Sequence, residues 1–288
     1  MRVFVLVGLL FAPGAAHAVE NVATTPVSYN GTAPTATDIA NWSTGWTQPS
    51  VQPTGFTSTT GWNYCGSVNG NSAVYLGNGW VLTAAHNSTG NFWLGGVTYP
   101  QVPNSAKTFG AADLILFQVA PAPALPALPI RATDPKAGTC QVAMLGWGHA
   151  NGDRSVTWGY NTVTNVKQPI TLQNNGTTYT TTDFLTLTQT SYGNNYQVVE
   201  GDSGGAGFIF NPTTRVWELA GMNEAVVSNN GAGPFYSAMV QLNTYQAQIA
   251  AATATVADTP ALPPWAVGLL AGTLIWVAAP MCTVRRAP

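Results

Sequence analysis

The runs SAVYL (72–76) and WVLTA (80–84) stand on either side of Gly77-Asn78-Gly79. Asn-Gly between two apolar runs favours a tight turn with positive φ, which ties the flanking segments into an antiparallel hairpin. Similar short runs recur at 95–102 (GGVTYPQV), 112–119 (ADLILFQV), 140–148 (CQVAMLGWG), 184–190 (FLTLTQT), 205–210 (GAGFIF) and 216–222 (VWELAGM), separated by Gly, Asn, Pro and Thr. That spacing predicts an all-β sandwich or barrels. Residues 208–219 read as a second hairpin, with Asn211-Pro212 opening the turn. A single short helix is expected over 242–251, with Leu242, Tyr245 and Ile249 on one face and Asn243 or Thr244 as cap.

With 288 residues the chain is long enough to bury a sizeable core. Only 7% of the residues are charged, the net charge is -2, and no Lys/Arg cluster precedes the last few positions. A nucleic-acid partner is excluded on that ground, because phosphates need many cations. Abundant Thr, Asn, Gly, Trp and Tyr beside few Lys and Glu suit an extracellular β-protein.

Both ends read as targeting segments. Arg2, the apolar stretch Val3 to Phe11 and the small-x-small Ala16-His17-Ala18 predict an export leader over 1–18, against the alternative of a buried N-terminal helix. At the other end no residue from Thr259 to Val284 carries a charge, and Arg285-Arg286 follow. This predicts a membrane-spanning segment with its basic end in the cytoplasm. Pro263-Pro264-Trp265 before it makes the tail similar to bacterial envelope-sorting tails, on which an envelope-sorting enzyme would act; an anchor that stays is the alternative. Cys282 lies in the tail, leaving Cys65 and Cys140 either as one disulfide in an oxidising compartment or as two free thiols. No Cys/His spacing points to a metal.

The string Glu200-Gly201-Asp202-Ser203-Gly204-Gly205 concentrates a hydroxyl and two carboxylates in a chain poor in charge. A serine hydroxyl is a weak nucleophile and needs a base in hydrogen-bond reach, itself oriented by a third group. Of the three histidines, His17 lies in the leader and His149 follows Gly146-Trp147-Gly148, whereas His86 ends the strand-like run GWVLTAAH. Asp113 precedes the apolar run LILFQV, where a buried carboxylate is costly unless paired.

WVLTAAH, Asp113-Leu114-Ile115-Leu116, Gly146-Trp147-Gly148 and Gly201-Asp202-Ser203-Gly204-Gly205 together resemble the motifs of the trypsin/chymotrypsin-like serine proteases, in that family's order, over about residues 60–250. The order His, Asp, Ser differs from that of subtilisins and of α/β-hydrolases. The resemblance implies two packed six-stranded antiparallel β-barrels with a short C-terminal helix and a cleft between them. It implies an endopeptidase with no metal or cofactor, in which Ser203 attacks the peptide carbonyl, His86 is the base, Asp113 orients His86, and the amides of Gly201 and Ser203 form the oxyanion hole. Gln197 falls at the base of the substrate pocket and Glu200 at its rim, so a strong preference for Arg or Lys is not expected.

Some positions depart from the family. Asn87 and Val199 stand where cysteines are usual, and Cys140 lacks a partner near Ile209. In zymogen-activated members the aspartate before the nucleophile pairs with a new N-terminal amine ahead of an Ile-Val-Gly-Gly-type start. No such start occurs here, so Asp202 is expected to find other partners, without trypsin-style activation; a propeptide within 19–60 stays open. The resulting plan is a leader over 1–18, a wrapping or flexible segment over 19–60, a protease domain over 61–252, a linker with the sorting motif over 253–264, and a transmembrane or sorting segment over 265–288. The competing reading is a surface-anchored binding module, either on an inactive protease fold or as a lectin-like sandwich using the ten Trp and ten Tyr.

Overall fold

The computed structural model describes residues 5–6, 19–21, 28–29, 61–148, 156–188, 196–214, 216–228 and 234–254. Most of the expected leader, most of the 19–60 segment and the tail from 255 onward lie outside these residues. Three short strands come first: β1 (Val5–Leu6), β2 (Glu20–Asn21) and β3 (Ser28–Tyr29). The first large sheet contains β4 (Cys65–Val68), β5 (Asn71–Gly77), β6 (Trp80–Thr83), β7 (Phe92–Leu94), β8 (Val97–Tyr99), β9 (Lys107–Thr108) and β10 (Ile115–Gln118). Its order is β8-β7-β4-β5-β6-β10-β9. The second contains β11 (Gln141–Gly146), β12 (Thr157–Asn174), β13 (Thr177–Thr188), β15 (Ala206–Asn211), β16 (Val216–Ser228) and β17 (Phe235–Gln241), while β14 (Tyr196–Gln197) pairs with β2 in a small third sheet. A helix, α1 (Gln246–Thr253), follows.

The architecture is all-β, but the expected pair of six-stranded barrels is not what forms. The first sheet is seven-stranded, and its end strands β8 and β9 do not pair. The second is also seven-stranded, in the order β1-β16-β15-β11-β12-β13-β17, with β16 also paired to β17 and β1 added outside that ring. The expected transmembrane segment is corrected as well: among the described residues no helix is long and apolar enough to cross a membrane.

Local chemistry accounts for the hairpins. Gly77, Asn78 and Gly79 have φ of 99°, 53° and 81°, the left-handed conformation that the Gly-Asn-Gly turn makes affordable, and β5 and β6 pair as Val74↔Leu82 and Tyr75↔Val81. The longest hairpin, β12–β13, also turns on Asn-Gly: Asn175 and Gly176 sit at φ 47° and 78°. Buried Tyr75, Val81, Leu82, Leu116 and Phe117 of the first sheet join Leu145, Phe208 and Trp217 of the second in one apolar cluster. Such burial is worth about 1.5–3 kcal/mol per large side chain. It fixes the first and second sheets against each other where the Ser203-Gly204 loop meets the end of β6.

Cys65 and Cys140 are two free, buried thiols in different apolar clusters, so the possible disulfide does not form. Burial pushes the Cys65 thiol up to about 12, which keeps it protonated and inert. Cys140 Sγ accepts the Lys136 amide instead.

Candidate active site

Strand β6 runs out at Thr83, and the chain turns through a 3-10 segment, Ala85–Asn87, that carries His86. Strand β10 pairs antiparallel to β6 with Ile115 opposite Thr83, so the two residues before β10 come level with the start of that turn. Asp113, fully buried, therefore meets His86 twice. Its Oδ1 accepts the His86 backbone N–H at 2.9 Å, and its Oδ2 lies 2.5 Å from His86 Nδ1. A carboxylate held on both oxygens by one residue fixes the ring with its proton on Nδ1 and leaves Nε2 as the acceptor. The His86 side chain is 12% exposed, open to a reactant at one edge.

Ser203 lies on the loop between β14 and β15, half-buried. Its Oγ donates to the Glu224 carbonyl at 3.0 Å, and among the described residues no hydrogen bond joins it to His86 in this resting arrangement. The base and nucleophile segments are nevertheless stapled: Asn87 Nδ2 donates to the Ser203 carbonyl at 2.6 Å and to Thr83 Oγ1 at 3.1 Å. Asn87 thus makes by hydrogen bonds a connection in a position where the resembled family has a cysteine. Ser72 adds a second tie, giving its N–H and Oγ to the Gly201 carbonyl at 3.1 and 2.9 Å.

The loop's backbone leaves two donors over. The amides of Asp202, Gly204 and Gly205 go to the carbonyls of Val199, Asn223 and Asp202. Among the described residues no acceptor takes those of Gly201 and Ser203. Because the Asp202 carbonyl turns to Gly205, the Ser203 N–H in the same peptide unit faces the opposite way, beside Ser203 Oγ. Gly201 reaches φ 90° and Gly204 φ 88°, and a Cβ on Gly204 would overlap the Ser72 carbonyl and Thr83 Oγ1. Gly204→Ala is expected to cost at least the roughly 1–2 kcal/mol of a left-handed alanine, read as a lowered Tm; an unchanged Tm would mean that the loop does not need this approach.

Asp202 is completely buried, and Oδ2 accepts the amides of Val199 and Val19, both at 2.8 Å. Burial pushes its carboxyl up to about 7, against the pull of those two amides and of the Gly148 amide. The partner that sequence reasoning missed is Val19, the residue immediately after Ala16-His17-Ala18. Glu20 and Asn21 of β2 pair with Gln197 and Tyr196 of β14, which holds Val19 in place. Gly146 lies so close to Asp202 that a Cβ there would overlap the carboxylate.

Of the pocket residues read from the sequence, Gln197 is buried on β14 and Glu200 is exposed on the turn before Gly201. Sequence reasoning also missed what β13 brings to the site. Its Thr180 amide donates to the Ala111 carbonyl at 2.8 Å, the Tyr179 ring centroid lies 6.4 Å from that of His86, and Thr181 Oγ1 reaches Glu224. The Asn175-Gly176 turn was the available signal for this hairpin.

A family model described as trypsin matches residues 54–249. No curated protein matches the chain. Among solved structures, the Rv3671c protease from M. tuberculosis in its active form is 16% identical with a TM-score of 0.49, covering 64% of this chain and 74% of that one. Its inactive form is 15% identical with a TM-score of 0.48, covering 72% and 100%.

Proposed function

The chain belongs to the trypsin family, and from that membership we propose that it is an exported serine endopeptidase working through Ser203, His86 and Asp113. The observation that carries the reading is the double grip of Asp113 on the His86 amide and Nδ1. A merely structural aspartate needs neither the ring nor its tautomer. Rotation of the Ser203 side chain from the Glu224 carbonyl toward Nε2 makes the nucleophile. His86 takes the hydroxyl proton as Oγ bonds to the peptide carbonyl carbon, and returns it to the leaving amine as the C–N bond breaks. The carbonyl oxygen, now an anion, takes the spare amides of Gly201 and Ser203. Water, deprotonated by the same His86, then releases the acid and restores Ser203.

Gln197 at the pocket base is neutral, which favours a small, apolar or amide side chain before the cut over Arg or Lys; exposed Glu200 lines the rim. No metal or cofactor takes part in these steps. The protease domain is taken as residues 61–252, with Glu20 and Asn21 paired to its strand β14.

Export also matures the site, contrary to the expectation drawn from the missing Ile-Val-Gly-Gly-type start, because the residue on Asp202 is Val19, immediately after the expected leader. Cutting between Ala18 and Val19 consumes one water, leaves a carboxylate on Ala18 and turns the Val19 amide into an ammonium beside Asp202. Two features favour this cut. Val19 is a β-branched residue at φ 35°, a strained conformation that depends on the Ala18 carbonyl and ends with the bond. Asp202 is held by the backbone amides of Val19, Val199 and Gly148, with no cation beside it among the described residues, and an ammonium brings a positive charge and three N–H groups where the Val19 amide has one.

A fluorophosphonate probe tests the activity. Label on Ser203, absent from Ser203→Ala and His86→Ala, is the expected result. A folded, mature sample that takes no label would favour the binding-module reading.

A further inference from the structure

Behind the proposed triad lie two more buried carboxyl groups that its chemistry does not use. Glu224 is the extra residue of a β-bulge: β16 and β17 pair as Asn223↔Met239 and then Ala225↔Ala238. A bulge re-aims a side chain, and here it turns Glu224 inward, to 2% exposure. Both carboxylate oxygens accept Thr181 Oγ1 at 3.0 Å. Two residues further along the same face of β13 is Asp183, fully buried, with neither oxygen accepting a hydrogen bond by strict geometry. Asp183 faces both Glu224 and the Thr181 hydroxyl, and Thr181 has a single proton for the two carboxyl groups. The contact between the two carboxyls is left to them.

Two ionised carboxylates have only acceptors, so that contact needs a proton. Among the described residues the surroundings supply no positive charge to the pair. Asp113, before β10, adds a third negative group acting on both. His86 is committed to Asp113, and the ion pairs of Arg131 and Lys167 go to Glu218 and Asp134.

We propose that Asp183 and Glu224 share one proton as an acid–carboxylate pair, and that this pair is a positioning device for the triad, holding the strands on either side of it together and limiting the charge behind it. The shared proton ties β13, which carries Tyr179 beside His86, to the bulge of β16 beside Ser203. It also limits the negative charge near Asp113, which must answer the His86 imidazolium. Burial, as the first cause, pushes Asp183 up to about 7 and Glu224 well above the usual carboxylate range, the direction that keeps the proton in place. Once the pair loses its proton in alkali, two adjacent buried anions repel, the bulge beside Ser203 shifts and a further negative charge faces Asp113.

The kinetic arm of the test rests on the endopeptidase reading; the spectroscopic arm does not. In the infrared, the mature protein is expected to carry the C=O band of a protonated carboxyl near neutral pH, lost in Glu224→Gln and in Asp183→Asn. In turnover, Glu224→Ala is expected to lower kcat about tenfold by loosening the bulge beside Ser203 and His86, with KM little changed. Glu224→Gln supplies a permanent amide donor to Asp183, so it should restore much of that loss and move the alkaline fall of activity up by about one pH unit or more. If either variant fails to fold, the other and the wild-type infrared titration still decide. Absence of the protonated-carboxyl band from the wild type overturns the shared proton. A band that is present, with the same alkaline fall in wild type and both conservative variants, overturns the positioning role. A protein that shows the band but hydrolyses nothing counts against the endopeptidase reading and leaves the pair standing.

Discussion

Asp113→Asn is expected to lower kcat about ten-thousand-fold while the protein stays folded. The two bonds that Asp113 makes determine this outcome. Its Oδ1 faces the His86 main-chain N–H, which requires an acceptor, so the amide oxygen of asparagine stays there. The amide nitrogen must then occupy the Oδ2 position against Nδ1, where it can only donate. His86 is thereby forced to carry its proton on Nε2, the side turned to the nucleophile, and cannot accept the Ser203 proton. The volume is unchanged and both hydrogen bonds are kept, so circular dichroism and Tm should move little compared with the fall in kcat. A loss smaller than tenfold with the fold intact would mean that the tautomer of His86 does not limit turnover, and the triad assignment would fail with it.

The parts of the site that were legible in the sequence are those held in local strings. His86 is delivered by the end of β6, Asp113 by the start of β10, and Ser203 by a loop whose glycines are required where the backbone crosses Ser72 and Thr83. What could not be read there depends on partners far apart in sequence. Val19 meets Asp202 across 183 positions and Asn87 meets the Ser203 carbonyl across 116. Nothing near Asn87 advertises that bond, because an asparagine at the end of a short turn looks like any other turn residue. The fold was obscured differently. Strand β12 contains Gly159, Asn161 and Pro169, which read as breakers. Packing explains the first, since the Tyr196 ring lies where a Cβ on Gly159 would go. Pro169 pairs opposite Thr182 within the long ribbon, next to the irregular pairing between Asn165 and Gln168. Glu224 was hidden for the opposite reason: a single glutamate in an apolar run reads as the solvent face of a strand, and only the bulge turns it inward.

A chain that keeps its leader, through Ala18→Phe at the small-x-small site, is expected to fold but to turn over substrate about a hundred- to several-thousandfold more slowly than the cut form. The energy at stake is that of an ion pair around a buried charge, about 3–5 kcal/mol when one partner is missing, and 1.4 kcal/mol is about a factor of ten. With the amide in place, Asp202 must give up its proton unaided to be an anion, and its carboxyl stands at about 7 rather than the ordinary 3.8. The uncut fold then binds more protons than the unfolded chain between those two values. Stability from this group is therefore complete below the ordinary carboxyl value and is lost as pH rises through about 7. Cutting replaces that loss with an ammonium–carboxylate pair. The paired amine is raised in turn, so its contribution is complete below the free amine's value of about 8 and is lost only above it. Urea unfolding of the two forms between about pH 4 and 8 should accordingly diverge, the leader-bearing chain weakening with rising pH relative to the cut one. Acetylating the Val19 amine of the mature protein makes the same comparison without a leader: it restores an amide and should return the activity and the stability profile to those of the uncut chain. Full turnover by the acetylated protein would separate maturation from the Val19 charge and leave the cut as a step of export alone.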